Sequence, residues 1–294
     1  MGINLTSDSG INWHDTPSAL VVAHPGHELC VYGWLEAARP RVFVLTDGSG
    51  RSGEPRLGST TTVLESVGAV PGSIYGRLTD GEIYAAILAG DFGLFERLVA
   101  ELAAALVREG IESVAGDACE GYNPVHDTCR LVIDAAAELA GRWSGRSIPN
   151  RDFLLFGRHD THPEDLNAGD VLLTLDDDTL SRKLAAARAY PELKHVVNIF
   201  LDQQTPEALR SSPALREHFD DAVTSAMGDE AYRVECLRPA GSAYGDRRGA
   251  DDIPFYEHYG EMLVAAGVYE RAIRRRTHLA PLAEAVWRFV EAKS

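Results

Sequence analysis

Residues 18–33 read SALVVAHPGHELCVYG. This stretch begins with a short, Val-rich apolar run, which is typical of a strand buried on both faces of a parallel sheet. His24, His27 and Glu28 follow that run directly, and apolar residues at helical spacing come next. Ligands of an open α/β sheet bind beyond the carboxyl ends of its strands, so this turn is a candidate site.

The same alternation of strand and helix continues along the N-terminal half. Further buried strands are predicted in RVFVLT, SIYGRL and IESVAGD, and helices in TTTVLESVGA, FGLFERLVAELAAALVREG and DTCRLVIDAAAELAG. The last two helical stretches carry apolar residues at i, i+3 and i+4 and end at a glycine. The alternation predicts an α/β fold, with a parallel sheet, helices on both faces and right-handed crossovers.

The pattern loosens after about residue 150. DFLLFG and DVLLTL are predicted to be strands, whereas residues 206–228 and 255–292 have a helical pattern. We therefore expect residues 1–175 to form the α/β domain that carries the candidate site, and residues 176–294 to form a mainly helical extension packed on it. A single domain is the alternative.

Composition limits the class of protein. The chain has 294 residues with 45% apolar content, enough for one large core, and a net charge of −16 argues against a nucleic-acid partner. No apolar run approaches the roughly 20 residues of a membrane helix, and the N-terminus lacks a secretory pattern. The four cysteines form no CxxC pair. We expect a cytoplasmic protein with reduced thiols that acts on a small molecule, and a homo-oligomer is left open.

A second polar segment, GDACEGYNPVHD, follows the predicted strand IESVAGD and carries His126. Because the carboxyl ends of parallel strands meet at one edge of a sheet, His126 should lie near His24 and His27. Three protein ligands with an open fourth position form the pattern of a catalytic zinc site, which lowers the pKa of water to about 7. Imidazole also suits iron, copper and nickel. A helix-capping turn with solvated histidines is the alternative that the spacing leaves open.

Three motifs, AHPGHE, LTDGSG and YNPVHD, resemble those of the PIG-L/LmbE family of metal-dependent N-deacetylases over roughly residues 18–140. That family's motifs are usually A-H-P-D-D-E and H-P-D-H. The resemblance implies a Rossmann-like fold, one zinc ion and hydrolysis of an N-acyl group, commonly the acetyl of an N-acetylglucosaminyl compound. It also implies that His24, His27 and His126 are the metal ligands, with His27 in place of the family's aspartate ligand.

Two residues depart from the family pattern. Gly26 stands where the family has the aspartate that acts as general base, and Asn123 stands where it has the first histidine of the second motif. A positioned general base is worth about 10²–10⁴ in rate, so its loss is serious. Three neutral imidazoles leave the full charge on the metal, which favours ionisation of water without a base. The Asn123 amide can still donate a hydrogen bond to an oxyanion.

Four other residues are candidates, each with a structural alternative. Glu28 is predicted to orient a ligand, to replace the base or to cap the helix, and Glu120 to polarise water, to bind a substrate hydroxyl or to be a loop carboxylate. Either Glu28 or Glu120 is the predicted proton donor to the leaving amine. Asp47 and Arg51 are predicted to bind substrate, although a turn residue and an exposed loop charge are equally simple interpretations.

The sequence therefore predicts a zinc-dependent N-deacetylase acting on an amino sugar or a related small amide. One alternative is a catalytically impaired, metal-bearing module that binds a ligand or a partner. The other is an enzyme that loads the three-histidine site with a redox metal and uses oxygen.

Overall fold

The computed structural model describes residues 12–50, 53–155, 170–193, 232–241 and 253–293. Arg51 and the predicted helical segment 206–228 lie outside the described residues. Within the described ranges, no helix is long and apolar enough to cross a membrane.

Seven strands form one sheet in the order β3-β2-β1-β4-β5-β7-β6. The strands are β1 (Ser18–Val22), β2 (Arg41–Thr46), β3 (Val70–Leu78), β4 (Ser113–Asp117), β5 (Asn150–Phe153), β6 (Val171–Thr174) and β7 (Val234–Pro239). All pairings among the first five strands are parallel, whereas β7 runs antiparallel to both of its neighbours. The sheet is therefore mostly parallel, as predicted, with an antiparallel edge.

Helices cover both faces of the sheet. They are α1 (Tyr32–Ala38), α2 (Leu57–Val67), α3 (Asp80–Ala89), α4 (Phe92–Arg108), α5 (Pro124–Ser144), α6 (Asp177–Arg188), α7 (Phe255–Ala265) and α8 (Ala280–Ala292). Successive residues of a strand point to opposite faces. Ala19 and Val21 accordingly pack in the core under α3, α4, α5 and α8, and Leu20 and Val22 pack in the core under α1 and α2. The α/β fold with C-terminal helices is confirmed.

Two elements differ from the sequence prediction. Helix α3 was not predicted, and β7 comes from the part of the chain that was expected to be mainly helical. Because β7 lies between β5 and β6, the sheet continues past residue 175. The division into two domains stays a prediction.

The strand order changes direction once between neighbouring parallel strands, at β1 and β4. From β1 the chain builds outward through β2 and β3, and it then returns to place β4 on the other side of β1. The carboxyl ends of β1 and β4 therefore flank the topological switch point, the crevice where ligands of doubly wound sheets bind.

Candidate metal centre

The turn after β1 is shaped by Gly26. Its φ is +105°, and a Cβ built at this position would lie 2.4 Å from Leu193 Cδ1. The Gly26 N–H donates a hydrogen bond of 2.7 Å to Glu28 Oε2. A left-handed residue without room for a side chain is the place for glycine. A side chain at position 26 would therefore be strained and would require Leu193 to shift.

The turn brings two predicted histidines against the third. The ring centroids of His24 and His27 are 5.3 Å apart, those of His24 and His126 are 5.1 Å apart, and those of His27 and His126 are 4.6 Å apart. Tetrahedral ligation at about 2.0–2.1 Å from zinc to nitrogen puts imidazole centroids about 5 Å from each other. The rings therefore have the mutual spacing of a three-histidine metal site.

Two of these imidazoles are held through Nδ1. The Nδ1 atom of His27 lies 2.9 Å from Oδ2 of the fully buried Asp117, which also accepts the Ala23 N–H at 2.7 Å. The Nδ1 atom of His24 lies 2.8 Å from Thr46 Oγ1 and 2.9 Å from Asp80 Oδ1. Metal-bound histidines commonly make this type of contact with their second nitrogen.

These contacts select the tautomers. A carboxylate only accepts, so His27 donates from Nδ1 to Asp117. The Thr46 hydroxyl donates to the Ala23 carbonyl at 3.1 Å, and it therefore accepts from His24 Nδ1. In the neutral form of each ring, the unprotonated nitrogen is then Nε2, which can ligate a metal.

Burial favours the neutral form of two of the three imidazoles. Burial lowers the pKa of His126 well below its ordinary value, and the electrostatic interactions with His27 and His24 lower it further. Burial also lowers the pKa of His24, although its hydrogen bond to Asp80 opposes this shift. Burial alone would raise the pKa of Asp80, but the contact with His24 outweighs it and the pKa is lowered. His24 and His126 are thus neutral imidazoles, the ligating form, with an ionised Asp80 behind His24.

The donor set fits a divalent metal in chemistry and ring spacing. His126 Nδ1 is buried and has no hydrogen-bond partner among the described residues. In the same ranges, however, no group of three or more His, Cys, Asp or Glu side chains could hold a metal ion as the side chains stand. Ligation would therefore require the rings to adjust from the positions described.

The predicted catalytic residues have structural partners. Asn123 is the N-cap of α5, and its Oδ1 accepts the Val125 N–H at 2.8 Å. Glu120 Oε2 accepts the Leu155 N–H at 3.0 Å. Glu28 is fully buried, with its pKa raised by burial, and it fastens the Gly26 turn. Because Oδ1 of Asn123 accepts the Val125 N–H, the NH₂ group at the other end of the amide is the donor of this side chain.

Of the two predicted substrate-binding residues, Asp47 lies in the described part of the chain. Asp47 is buried at the start of the loop after β2, and its Oδ1 accepts the Ser49 N–H at 2.9 Å. This is the geometry of an Asx turn. A substrate role for Asp47 and for Arg51 stays a prediction.

Asp80 is a site residue that the sequence analysis did not find. It begins α3, where Thr79 Oγ1 accepts the Glu82 N–H and Glu82 Oε2 accepts the Thr79 N–H. This is a capping box, with threonine followed three residues later by glutamate. The TDGE sequence at residues 79–82 therefore signalled a helix start, but nothing local indicated that its second residue would reach His24.

No family model and no curated protein matches the chain. Three solved structures with similarity to it are a deacetylase complex from the teicoplanin biosynthesis pathway, the zinc-inhibited form of teicoplanin deacetylase Orf2 and the A40926 pseudoaglycone deacetylase Dbv21. The first has 14% identity, covers 76% of this chain and 97% of that chain, and has a TM-score of 0.47. The corresponding values for Orf2 are 12%, 76%, 97% and 0.45. For Dbv21 they are 19%, 76%, 96% and 0.42.

Proposed function

We propose that the protein is a metal-dependent hydrolase that removes an N-acyl group, in the first instance acetyl, from an amino sugar or a related small amide. The observation that carries the proposal is the convergence of His24, His27 and His126 at the switch point of the sheet. Their spacing, the lowered pKa values of His24 and His126, and the carboxylate contacts of His24 and His27 suit metal ligation. The substrate class follows the resemblance of the motifs. The proposed location is the cytoplasm.

Each residue of the cluster has a proposed task. A bound divalent metal, with zinc as first choice, would supply Lewis acidity and lower the pKa of water to about 7. Asp117 and Thr46 accept from Nδ1 of His27 and His24, so that Nε2 of each neutral ring is available to the metal. The Asn123 NH₂ group donates to the oxyanion that develops on the acyl group. Glu120 is the proposed proton donor to the leaving amine.

Glu28 is proposed to position the turn. Its Oε2 accepts the Gly26 N–H, and burial raises its pKa, so a hydrogen-bonded structural role is consistent with its environment. This role corresponds to the first of the three interpretations that the sequence left open, orientation of a ligand through the turn.

The second candidate, a catalytically impaired metal-bearing module, is favoured by Gly26. No carboxylate stands at this position, and a φ of +105° together with the approach of Leu193 would strain any side chain placed there. A positioned base contributes about 10²–10⁴ in rate, so such a module would bind the amide but turn it over slowly.

The test uses N-acetylglucosamine and measures the released amine, with the zinc-loaded wild type compared with the Asn123→Ser variant. Serine keeps a capping oxygen but removes the NH₂ donor, whereas the Asn123→Ala variant removes both. We expect Asn123→Ser to lose about 10²–10³ in kcat with little change in stability, the loss seen when one oxyanion donor is removed. A chelator should abolish turnover. Full turnover by the chelated protein would contradict the proposal, and binding without turnover would favour the module.

A further inference from the structure

The loop 118–123 joins β4 to α5 and carries Glu120, the proposed proton donor. It begins after Asp117, whose Oδ2 lies 2.9 Å from His27 Nδ1, and it ends three residues before His126. Both ends of the loop are therefore held beside the three histidines. Where Glu120 lies relative to them depends on the path of the backbone between these ends.

The buried carboxyl group of Asp127 fixes that path. Its Oδ1 accepts the N–H of Glu120 at 3.1 Å and the N–H of Gly121 at 3.0 Å. Asp127 follows His126 in the first turn of α5 and is 2% exposed. Two successive N–H groups that converge on one oxygen form a concavity that suits a carboxyl group. The loop is therefore tied to the same helical turn as His126.

Two further hydrogen bonds hold the same part of the loop from other elements. The Gly121 carbonyl accepts the N–H of Tyr256, the second residue of α7, at 3.3 Å. Glu120 Oε2 accepts the N–H of Leu155, which follows β5, at 3.0 Å. Of these three partners of the loop, Asp127 is the one that bonds the backbone N–H of Glu120 itself.

An aspartate in the first turn of a helix has a simpler explanation, which is attraction to the positive end of the helix dipole. The geometry at α5 goes beyond it. Asn123 already caps the helix, since its Oδ1 accepts the Val125 N–H at 2.8 Å. Asp127 Oδ1 accepts instead from the loop that precedes the helix, and its side chain is almost fully buried. The Asp127 carboxyl group therefore shapes the loop in addition to stabilising the helix.

We propose that Asp127 is a positioning residue, which holds Glu120 at the distance from the leaving amine that proton transfer requires. The inference rests on the proposed function. In that function the Glu120 carboxyl group gives its proton to the amine nitrogen as the C–N bond breaks, and the attacking water supplies the proton that restores it. A proton donor acts within about 2.6–3.2 Å of its acceptor. A displacement of about 1 Å costs about 10²-fold in rate, so control of the loop controls the donor.

The variants separate the loop contact from the fold. Asp127→Ala removes the acceptor, whereas Asp127→Asn keeps an oxygen that accepts both N–H groups. Asp176→Ala is the matched control, because the Asp176 carboxyl group likewise accepts a backbone N–H, that of Thr179 at 2.8 Å, at the start of α6. Each zinc-loaded full chain is compared with the wild type, and urea denaturation measures its stability.

Two substrates separate a role in proton donation from a general loss of structure. The amine of N-acetylglucosamine needs a proton to leave, whereas p-nitrophenyl acetate releases a stable anion without one. We expect Asp127→Ala to lower the chelator-sensitive kcat for N-acetylglucosamine about 10- to 100-fold with KM nearly unchanged, and that for p-nitrophenyl acetate by less than about twofold. Asp127→Asn and Asp176→Ala should act on both substrates as the wild type does.

Two further measurements locate the effect at Glu120. In a Glu120→Gln background, the addition of Asp127→Ala should lower the amide rate no further, because the effects of residues that act through one another do not add. Amide hydrogen exchange of the full chain should be faster at Glu120 and Gly121 in Asp127→Ala than in the wild type, and unchanged there in Asp176→Ala.

The outcomes distinguish the positioning role from the proposed function. Equal losses for both substrates in Asp127→Ala, or losses that multiply in the double variant, would overturn the positioning role and leave the function in place. Unchanged hydrogen exchange at Glu120 and Gly121 would overturn the role as well. A wild type that releases no amine would contradict the proposed function, and the positioning role with it, even where hydrogen exchange confirms the contact.

Discussion

Two buried polar clusters in this protein are built in opposite ways. In the first, the Glu235 cluster, Glu235 Oε1 accepts the Gly33 N–H and Lys183 Nζ, each at 2.8 Å, and Oε2 accepts the Trp34 N–H at 2.9 Å. Lys183 also donates to the Cys30 carbonyl at 3.1 Å. The charges have opposite signs, both carboxylate oxygens are bonded, and the cluster ties β7 and α6 to the start of α1.

The second, the histidine cluster, consists of His24, His27 and His126 with the carboxylates Asp80 and Asp117. Three like rings face each other, and the buried atoms His126 Nδ1 and Asp117 Oδ1 have no hydrogen-bond partner among the described residues. A buried polar group left unbonded is costly, and such groups concentrate at functional sites. In the Glu235 cluster both carboxylate oxygens are hydrogen-bonded within the protein. The histidine cluster, in contrast, contains buried polar atoms that a ligand could bond.

The largest expected effect is on the Glu235 cluster. The Glu235→Ala variant leaves the buried Lys183 ammonium unpaired, so we expect a loss of about 3–5 kcal/mol in the free energy of unfolding. Urea denaturation measures it, and the exposed Glu65→Ala is the control, with a change within about 0.5 kcal/mol. Zinc binding by the folded Glu235→Ala protein should be unchanged. A protein that kept its stability but lost zinc would reverse the roles of the two clusters.

The turn after β1, which carries His24 and His27, is expected to be nearly as sensitive to substitution. The Gly26→Ala variant combines a φ of +105° with a Cβ too close to Leu193. Backbone strain of this kind costs about 1–3 kcal/mol, and the close contact adds to it. Gly53→Ala is a matched control, since Gly53 has a φ of +76° and nothing near its Cβ position. Equal unfolding free energies for the two variants would mean that Leu193 moves aside without cost.

The sequence predicted the parts of the fold whose patterns are local. Strands β1 and β2 contain continuous apolar runs, and α4 and α5 have apolar faces that repeat with the helical period. Helix α3 was missed because Tyr84 and Leu88 add apolar side chains beyond the buried Ile83 and Ile87, which blurs its amphipathic pattern. Strand β7 was missed because it carries Glu235, whose burial depends on a lysine from α6.

The same distinction holds for the candidate site. The meeting of His24, His27 and His126 could be predicted, because the ends of parallel strands share one edge of the sheet. The contact of Asp80 with His24 could not, since it depends on the placement of a helix that the pattern did not reveal. The hydrogen bonds of Asn123 and Glu120 were equally hidden, because loop geometry decides them.

A smaller effect, on zinc affinity, is expected for a change at Asp117 in the histidine cluster. The Asp117→Asn variant weakens the acceptor of His27 Nδ1 without removing its bulk. Loss of a carboxylate behind a ligating histidine typically costs 10–100-fold in metal affinity, and we expect a loss of about that size for zinc. Asp152→Asn is the control, since Asp152 is a buried carboxylate that pairs with Arg238 of β7. A zinc affinity that falls equally in both variants would indicate a general structural effect.

The smallest effect concerns the pH dependence of the metal-free protein. The pKa of His126 is lowered by burial from about 6.5, so between that value and the lowered one the unfolded chain binds the proton and the folded chain does not. Stability is therefore fully present above about pH 6.5 and falls as the pH decreases, by up to about 1.4 kcal/mol per unit for one such group. Unfolding free energies at pH 7 and pH 5.5 measure it. His126→Ala should show a shallower dependence, and an equal slope would mean that His126 is protonated in the folded protein.

The central claim is that the three imidazoles together bind one divalent metal ion. Isothermal titration calorimetry of the metal-free chain with Zn²⁺ tests it most directly, on the wild type, on His126→Ala and on His14→Gln. His14 is the control because its exposed side chain lies outside the cluster. The account predicts about one high-affinity zinc ion per chain for the wild type and for His14→Gln, and loss of that event in His126→Ala with the fold retained by circular dichroism. Zinc binding of unchanged stoichiometry and affinity in His126→Ala, or its absence from the folded wild type, would contradict the account.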